Sequence, residues 1–245
     1  MASSQPFMPN AVPRLLFARL GLAVLLSQAA LGLPAAHAHP QGASPEWVSS
    51  CCGPVTPAGA ELARFLDGSG VEQRWLPGWR VDWQTGEALG RWAPGSGPHT
   101  HCSAFAASLS AQLDIYLLRP PEHGQRLLAN AQAQWLDSHA GRAAGWTAVA
   151  GAAAAQTAAN RGELVLAVFA NPDPRRAGHI AIVRPGYRSA EALREAGPLV
   201  TQAGARNALA IPLAQGFGGH PGAWLPEDAG AVRYYAHPVH PAPRI

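Results

Sequence analysis

The chain has 245 residues, 48% of them hydrophobic and only 13% charged, with 18 basic residues, all arginine, against 15 acidic ones. That balance describes a globular protein and argues against a disordered polymer. The formal charge of +3 is mild and no basic cluster extends beyond Arg175-Arg176, so a nucleic-acid partner is not expected, while a pI near 9.1 suits an anionic cell-wall surface.

Arg14 and Arg19 lead into the apolar stretch Leu20 to Leu33, which ends in the small-residue triplet Ala36-His37-Ala38. A basic n-region, a short apolar run and an A-x-A-like end predict a signal peptide over residues 1–38, followed by export to the periplasm or beyond. Ser27, Gln28 and Pro34 interrupt the apolar run, which falls short of the ~20 residues of a membrane span, so no stable insertion is expected after cleavage. About 207 residues then remain, enough for one domain of the usual ~100–200 residues.

Residues 39–98 form a segment rich in Gly, Pro and Trp. A brief helix is predicted at Pro57 to Leu66, and GSGVEQRWLPGWRVDWQTG reads as short strands and turns. Trp75, Trp79, Trp83 and Trp92 are either an aromatic groove for sugar or peptide, or core residues. In an exported protein Cys51 and Cys52 are expected to form a vicinal disulfide and leave Cys102 free; the alternative is that one of them locks Cys102 reversibly.

The region 99–245 carries the chemistry. A glycine-proline loop, APGSGPHTHC, ends where a helix is predicted to start, with Thr100 as its cap and Cys102 in its first turn. Phe105, Leu109 and Leu113 recur at i, i+4 and i+8 and face the core. A sulfur at that helix end meets unpaired N–H groups, which favour the thiolate. Helices are predicted again over Gly124 to Leu136 and Trp146 to Ala159, the second stopping at Asn160-Arg161-Gly162. A buried strand follows at Glu163 to Phe169, then the turn NPDPRRAG, then a strand HIAIV opened by His179. Alternation sets His179, Ala181 and Val183 on one face, with the small Ala181 leaving room for the Cys102 helix, and Ile180 and Ile182 on the other.

A nucleophilic thiol and a general base occur together, and the base needs a third group to fix its tautomer. After a helix at Ala190 to Ala196, the strand in GPLVTQAG would end at Gln202 opposite His179 if it pairs antiparallel to HIAIV. Gln202 is therefore the first candidate, Asn207 the second and Asp173 the third. A last strand is predicted at Val232 to Ala236, and His220 and Trp224 are candidates to line the cleft.

In order and wording, these segments resemble the NlpC and CHAP groups of papain-like peptidoglycan hydrolases. Those groups read as cysteine plus a small residue and an aromatic, then G-D-x-V, then G-H-V-x-x-V. Here Cys102, Ser103 and Phe105, then Gly162 and Val165, then Gly178, His179 and Val183 stand in the matching places, over roughly Thr100 to Gly204. Glu163 replaces the usual aspartate, an alanine-rich stretch is interposed before Gly162, and the tryptophan-rich segment has no counterpart. The resemblance implies an α+β papain-like domain with the nucleophile at a helix N-terminus packed on an antiparallel sheet. It further implies that Cys102 attacks an amide carbonyl in peptidoglycan stem peptides, His179 relays the proton, and the Cys102 N–H holds the oxyanion, helped by His101.

No cofactor is expected. The rival class is a metal-binding exported protein using His99, His101 and Cys102 with Cys51, Cys52 or His179, although no recognised ligand spacing appears. A catalytically inert module that binds wall fragments is a third possibility.

Overall fold

The first helix is written locally: Pro57 supplies a helical φ at its first position, and Thr56 caps it by accepting from the Gly59 N–H at 3.1 Å. In the computed structural model, which describes residues 51–95 and 99–240, this helix, α1, spans Pro57–Asp67 and buries Leu62 and Leu66. The segment read as a signal peptide lies outside the described residues. Beyond α1, strands β1 (Trp79–Val81) and β2 (Ala88–Arg91) form a two-stranded antiparallel hairpin. Its turn is held by Asp82, whose Oδ1 accepts from the N–H groups of Gln84 and Thr85.

Helix α2 (Cys102–Gln112) is buried on every side from Cys102 to Ser110, because it runs through the middle of the core rather than along its surface. Its cap position belongs to His101, not to Thr100, and the His101 ring makes no capping bond because its Nε2 is joined to the Trp79 carbonyl at 2.8 Å. Helices α3 (Leu128–Asp137) and α4 (His139–Ala143) follow. Helix α3 starts later than Gly124 because Leu127 sits at φ 52°, outside helical geometry. The stretch from Trp146 to Ala159 is not one helix. Thr147–Val149 is strand β3, recruited by backbone pairing to the C-terminal strand, and α5 begins at Gly151, which turns the chain at φ 76°.

Strands β4 (Leu164–Phe169) and β5 (His179–Val183) then cross the molecule, with every residue buried. Helix α6 (Ala190–Ala196), strands β6 (Leu199–Gln202) and β7 (Ala208–Pro212), the short α7 (Leu213–Gly216) and strand β8 (Arg233–His237) complete the chain. The main sheet has six strands in the order β3-β8-β4-β5-β6-β7, and each neighbouring pair is antiparallel. The fold is thus α+β, with an antiparallel sheet between two apolar layers. One layer joins Cys102, Phe105 and Leu109 of α2 to Ile180 and Ile182; the other joins α5 to Ala181, Val183 and Val200.

The side of β5 that receives α2 is therefore the Ile180/Ile182 side, opposite to the expectation that Ala181 makes room for it. Alternation assigns two faces to a strand but does not say which neighbour takes which. Leu62, Leu66, Val71, Trp75 and Val81 lie in the same core as Cys102, so the described part of the tryptophan-rich segment shares the core of α2. Trp75 is fully buried, edge-on to Phe105 at 5.1 Å, with its Nε1–H donating to the Trp83 carbonyl. Trp79 lies under the Arg91 guanidinium at 4.2 Å, and Trp92 stacks on His99 at 4.1 Å. No helix among the described residues is long and apolar enough to cross a membrane.

Candidate functional site

Cys102 is the first residue of α2, and α2 packs on β5, which His179 opens. The backbone groups of Ile180, Ser103 and Cys102 itself pull the thiol toward ionisation, but burial outweighs them and pushes the Cys102 thiol up. No hydrogen bond joins Cys102 to His179 among the described residues; the sulfur meets the backbone of Ile180, the residue that follows the histidine.

His179 is 3% exposed, and burial lowers it to about 4, opposed by its bond to Gln202. That bond joins Nε2 to the Gln202 Oε1 at 2.8 Å. Gln202 Nε2 donates to the Arg206 carbonyl at 3.0 Å, which fixes the amide with its oxygen toward the ring. The network therefore assigns the ring proton to Nε2 and leaves Nδ1 as the basic nitrogen.

The pairing of β5 with β6 sets Ile182 opposite Thr201, so the continued register puts Gln202 across from Ala181 rather than from His179. The glutamine reaches His179 diagonally along the same face, a separation of ~7–8 Å between backbones that a long side chain spans. Gly216 makes the site possible from below: a Cβ there would stand 2.5 Å from the Gln202 Oε1.

The two other candidate orienting residues are elsewhere. Asn207 spends its amide on the carbonyls of Val71, Arg74 and Trp75, at 2.8, 2.8 and 3.3 Å, and accepts from the Gly204 N–H, so it ties the Trp75 segment to the β6–β7 turn. Asp173 is ion-paired with Arg175 at 3.1 Å in the turn before β5, and that hydrogen bond holds its carboxyl low. His101 is tied to the Trp79 carbonyl, and burial lowers it against that bond.

The ring of Phe217 stands edge-on to His179 at 4.6 Å, and His220 stacks on it at 5.2 Å with the planes 16° apart. Trp224 lies apart, donating to the Glu195 carbonyl. Phe217 was not singled out from the sequence, and the glycine-rich GFGGHPG around it gave only a loop signal. Next to His220 a cavity of about 100 Å³ opens between Phe169, Asn171 and Arg176. Asn171 also borders a second hollow reaching Gln134 and Ala170, and those two border a third at Asp137, Arg233 and Tyr235. Each hollow thus shares lining residues with the next, starting from the one that His220 lines.

Cys51 and Cys52 are joined to each other and Cys102 is free. Cys52 packs in the layer with α5, on the other side of the sheet from Cys102, so the Cys102 lock is not formed. Among the described residues no three side chains of His, Cys, Asp or Glu converge on a metal-sized site. No protein-family model matches this chain, and no curated protein matches it in sequence.

Proposed function

We propose that the protein is an exported thiol hydrolase of amide bonds with a papain-like arrangement, in which Cys102 is the nucleophile, His179 the general base and Gln202 the group that orients His179. The observation that carries this reading is the His179–Gln202 bond at 2.8 Å, with the Cys102 sulfur at the backbone of Ile180, the residue after the histidine, although α2 packs on the Ile180 face of β5 and the His179 ring lies on the Ala181 face. Cys102 Sγ attacks the carbonyl carbon, and its proton passes to His179 Nδ1. The oxyanion is met by the Cys102 backbone N–H at the helix end. Collapse expels the amine with the proton from His179, and water, activated by the same nitrogen, releases the acid and restores the thiol. The resemblance to the NlpC and CHAP groups directs the reading to peptidoglycan stem peptides, and the cavity beside His220 offers room for a substrate side group.

Because burial favours the neutral thiol and imidazole, the resting pair is poised rather than ionised. Cys102 and His179 are both buried, so substrate must open the site before the thiolate forms. The burial that protects the pair also favours a second reading, an inert module that binds wall fragments and retains the Cys–His arrangement without turnover.

The test is release of amines or peptides from purified peptidoglycan by the protein under mild reductant. Cys102→Ala should abolish release, a loss of at least about 10³-fold, and alkylation should do the same. A folded, reduced, unalkylated protein that binds peptidoglycan without cutting it or any peptide amide would instead establish the inert module.

A further inference from the structure

The cavity beside His220 differs from the neighbouring hollows in its charge. Arg176 lines it and makes no ion pair among the described residues, because Asp173, the acidic residue of the same turn, is taken by Arg175 through two bonds at 3.1 and 3.2 Å. No aspartate or glutamate borders the cavity. Its inner wall is His220, held between the rings of Phe169 at 5.6 Å and His179 at 5.2 Å. Arg176, whose acidic neighbour Asp173 is hydrogen-bonded to Arg175 instead, lines with His220 a hollow of about 100 Å³, which has room for a carboxylate and a carbon or two, given ~30 Å³ for a water in the liquid.

We propose that this cavity is a subsite for a carboxylate carried by the substrate next to the scissile bond, gripped by the Arg176 guanidinium and hydrogen-bonded by His220. The proposal rests on the hydrolase reading for its place in a reaction, but not for the binding itself. Arg176 offers a planar fork of donors that matches a carboxylate in two-point contact. Burial, His179 and Arg176 all act to keep His220 uncharged, lowering it to about 4. A carboxylate in the cavity supplies the opposite charge and draws a proton onto that ring. Because His220 stacks on His179, the bound carboxylate also sets where the neighbouring amide stands relative to the base. An acidic residue beside the cut bond is thereby selected over its amidated form.

The binding is tested on the Cys102→Ala protein, which cannot turn substrate over, by following the histidine ring resonances, with His220 assigned through His220→Gln. The probes are glutarate and its neutral counterpart glutaramide. Glutarate should shift the His220 signals saturably and glutaramide should not. Arg176→Ala should weaken glutarate by about tenfold or more, as loss of a hydrogen bond to a charged group does. Arg161→Ala, which removes an exposed arginine outside the cavity, should change it less than about twofold. Equal shifts with glutaramide, or glutarate binding indifferent to Arg176→Ala, overturn the subsite. Glutarate binding in a protein that cleaves no amide keeps the subsite and removes the hydrolase reading; cleavage without glutarate binding does the reverse.

Discussion

His179, with the His220 ring stacked on it and likewise lowered to about 4, makes the stability of this protein fall toward acid. Its folded pKa of about 4 lies below the ordinary value of 6.5, so the unfolded chain binds the proton more tightly. The stabilisation is whole above pH 6.5 and is lost as pH falls toward 4, by roughly 3 kcal/mol for a shift of this size. Denaturant melts between pH 7 and 4 should show that loss, and His179→Phe should shrink it to the share carried by His220; an unchanged pH slope in that variant would show that His179 does not contribute. Gln202 is the second lever at this scale. It holds the ring tautomer through one bond and its own amide through another, so Gln202→Ala should lower kcat by about 10²-fold or more with a smaller change in KM. Equal kcat in a folded Gln202→Ala protein would mean that Gln202 does not orient the base.

At the scale of elements, the end of α5 is where the chain is tied together. The Asn160 side chain accepts from Gln156 and from the Gly186 N–H and donates to the carbonyls of Cys52 and Gly53, while its backbone carbonyl receives Thr56. One residue thus fixes the start of α1, the end of α5 and the turn after β5. Two residues on, Gly162 turns the chain into β4 at φ 95°, and a Cβ there would stand 2.7 Å from the Ala58 side chain. Gly162→Ala should therefore cost about 2 kcal/mol or more, from strain and crowding together. Equilibrium unfolding measures it, and a change below about 0.5 kcal/mol, the range of ordinary surface substitutions, would show that α1 yields without cost.

Across the whole molecule, stability comes from the two apolar layers rather than from the disulfide. Cys51 and Cys52 are adjacent in sequence, so their bond closes almost no loop and restricts the unfolded chain little. Mild reduction should shift the thermal midpoint by less than about 3 °C, the equivalent of under about 1 kcal/mol. A larger drop would place the bond among the main supports of the α5 layer.

What the sequence by itself determined lies where a pattern is local. Thr56 with Pro57 wrote the start of α1, the apolar run to Phe169 wrote β4, and GHIAIV wrote β5, because caps, turns and short apolar periods act within a few residues. The strand bearing Gln202 was legible for the same reason, though its register was not. Only the tertiary structure decided the rest. Thr147–Val149 became a strand by pairing with β8, and α2 packed on the Ile180 side of β5 while α5 took the Ala181 side. Asn207 was spent on the Trp75 segment and Gln202 on His179, although both are polar amides near the same turn. Phe217 and His220, from the segment after α7, met Arg176 and His179, from the turn before β5 and its first residue. Hydrogen bonds and burial of that kind depend on which segments the fold brings together, and no local periodicity encodes it.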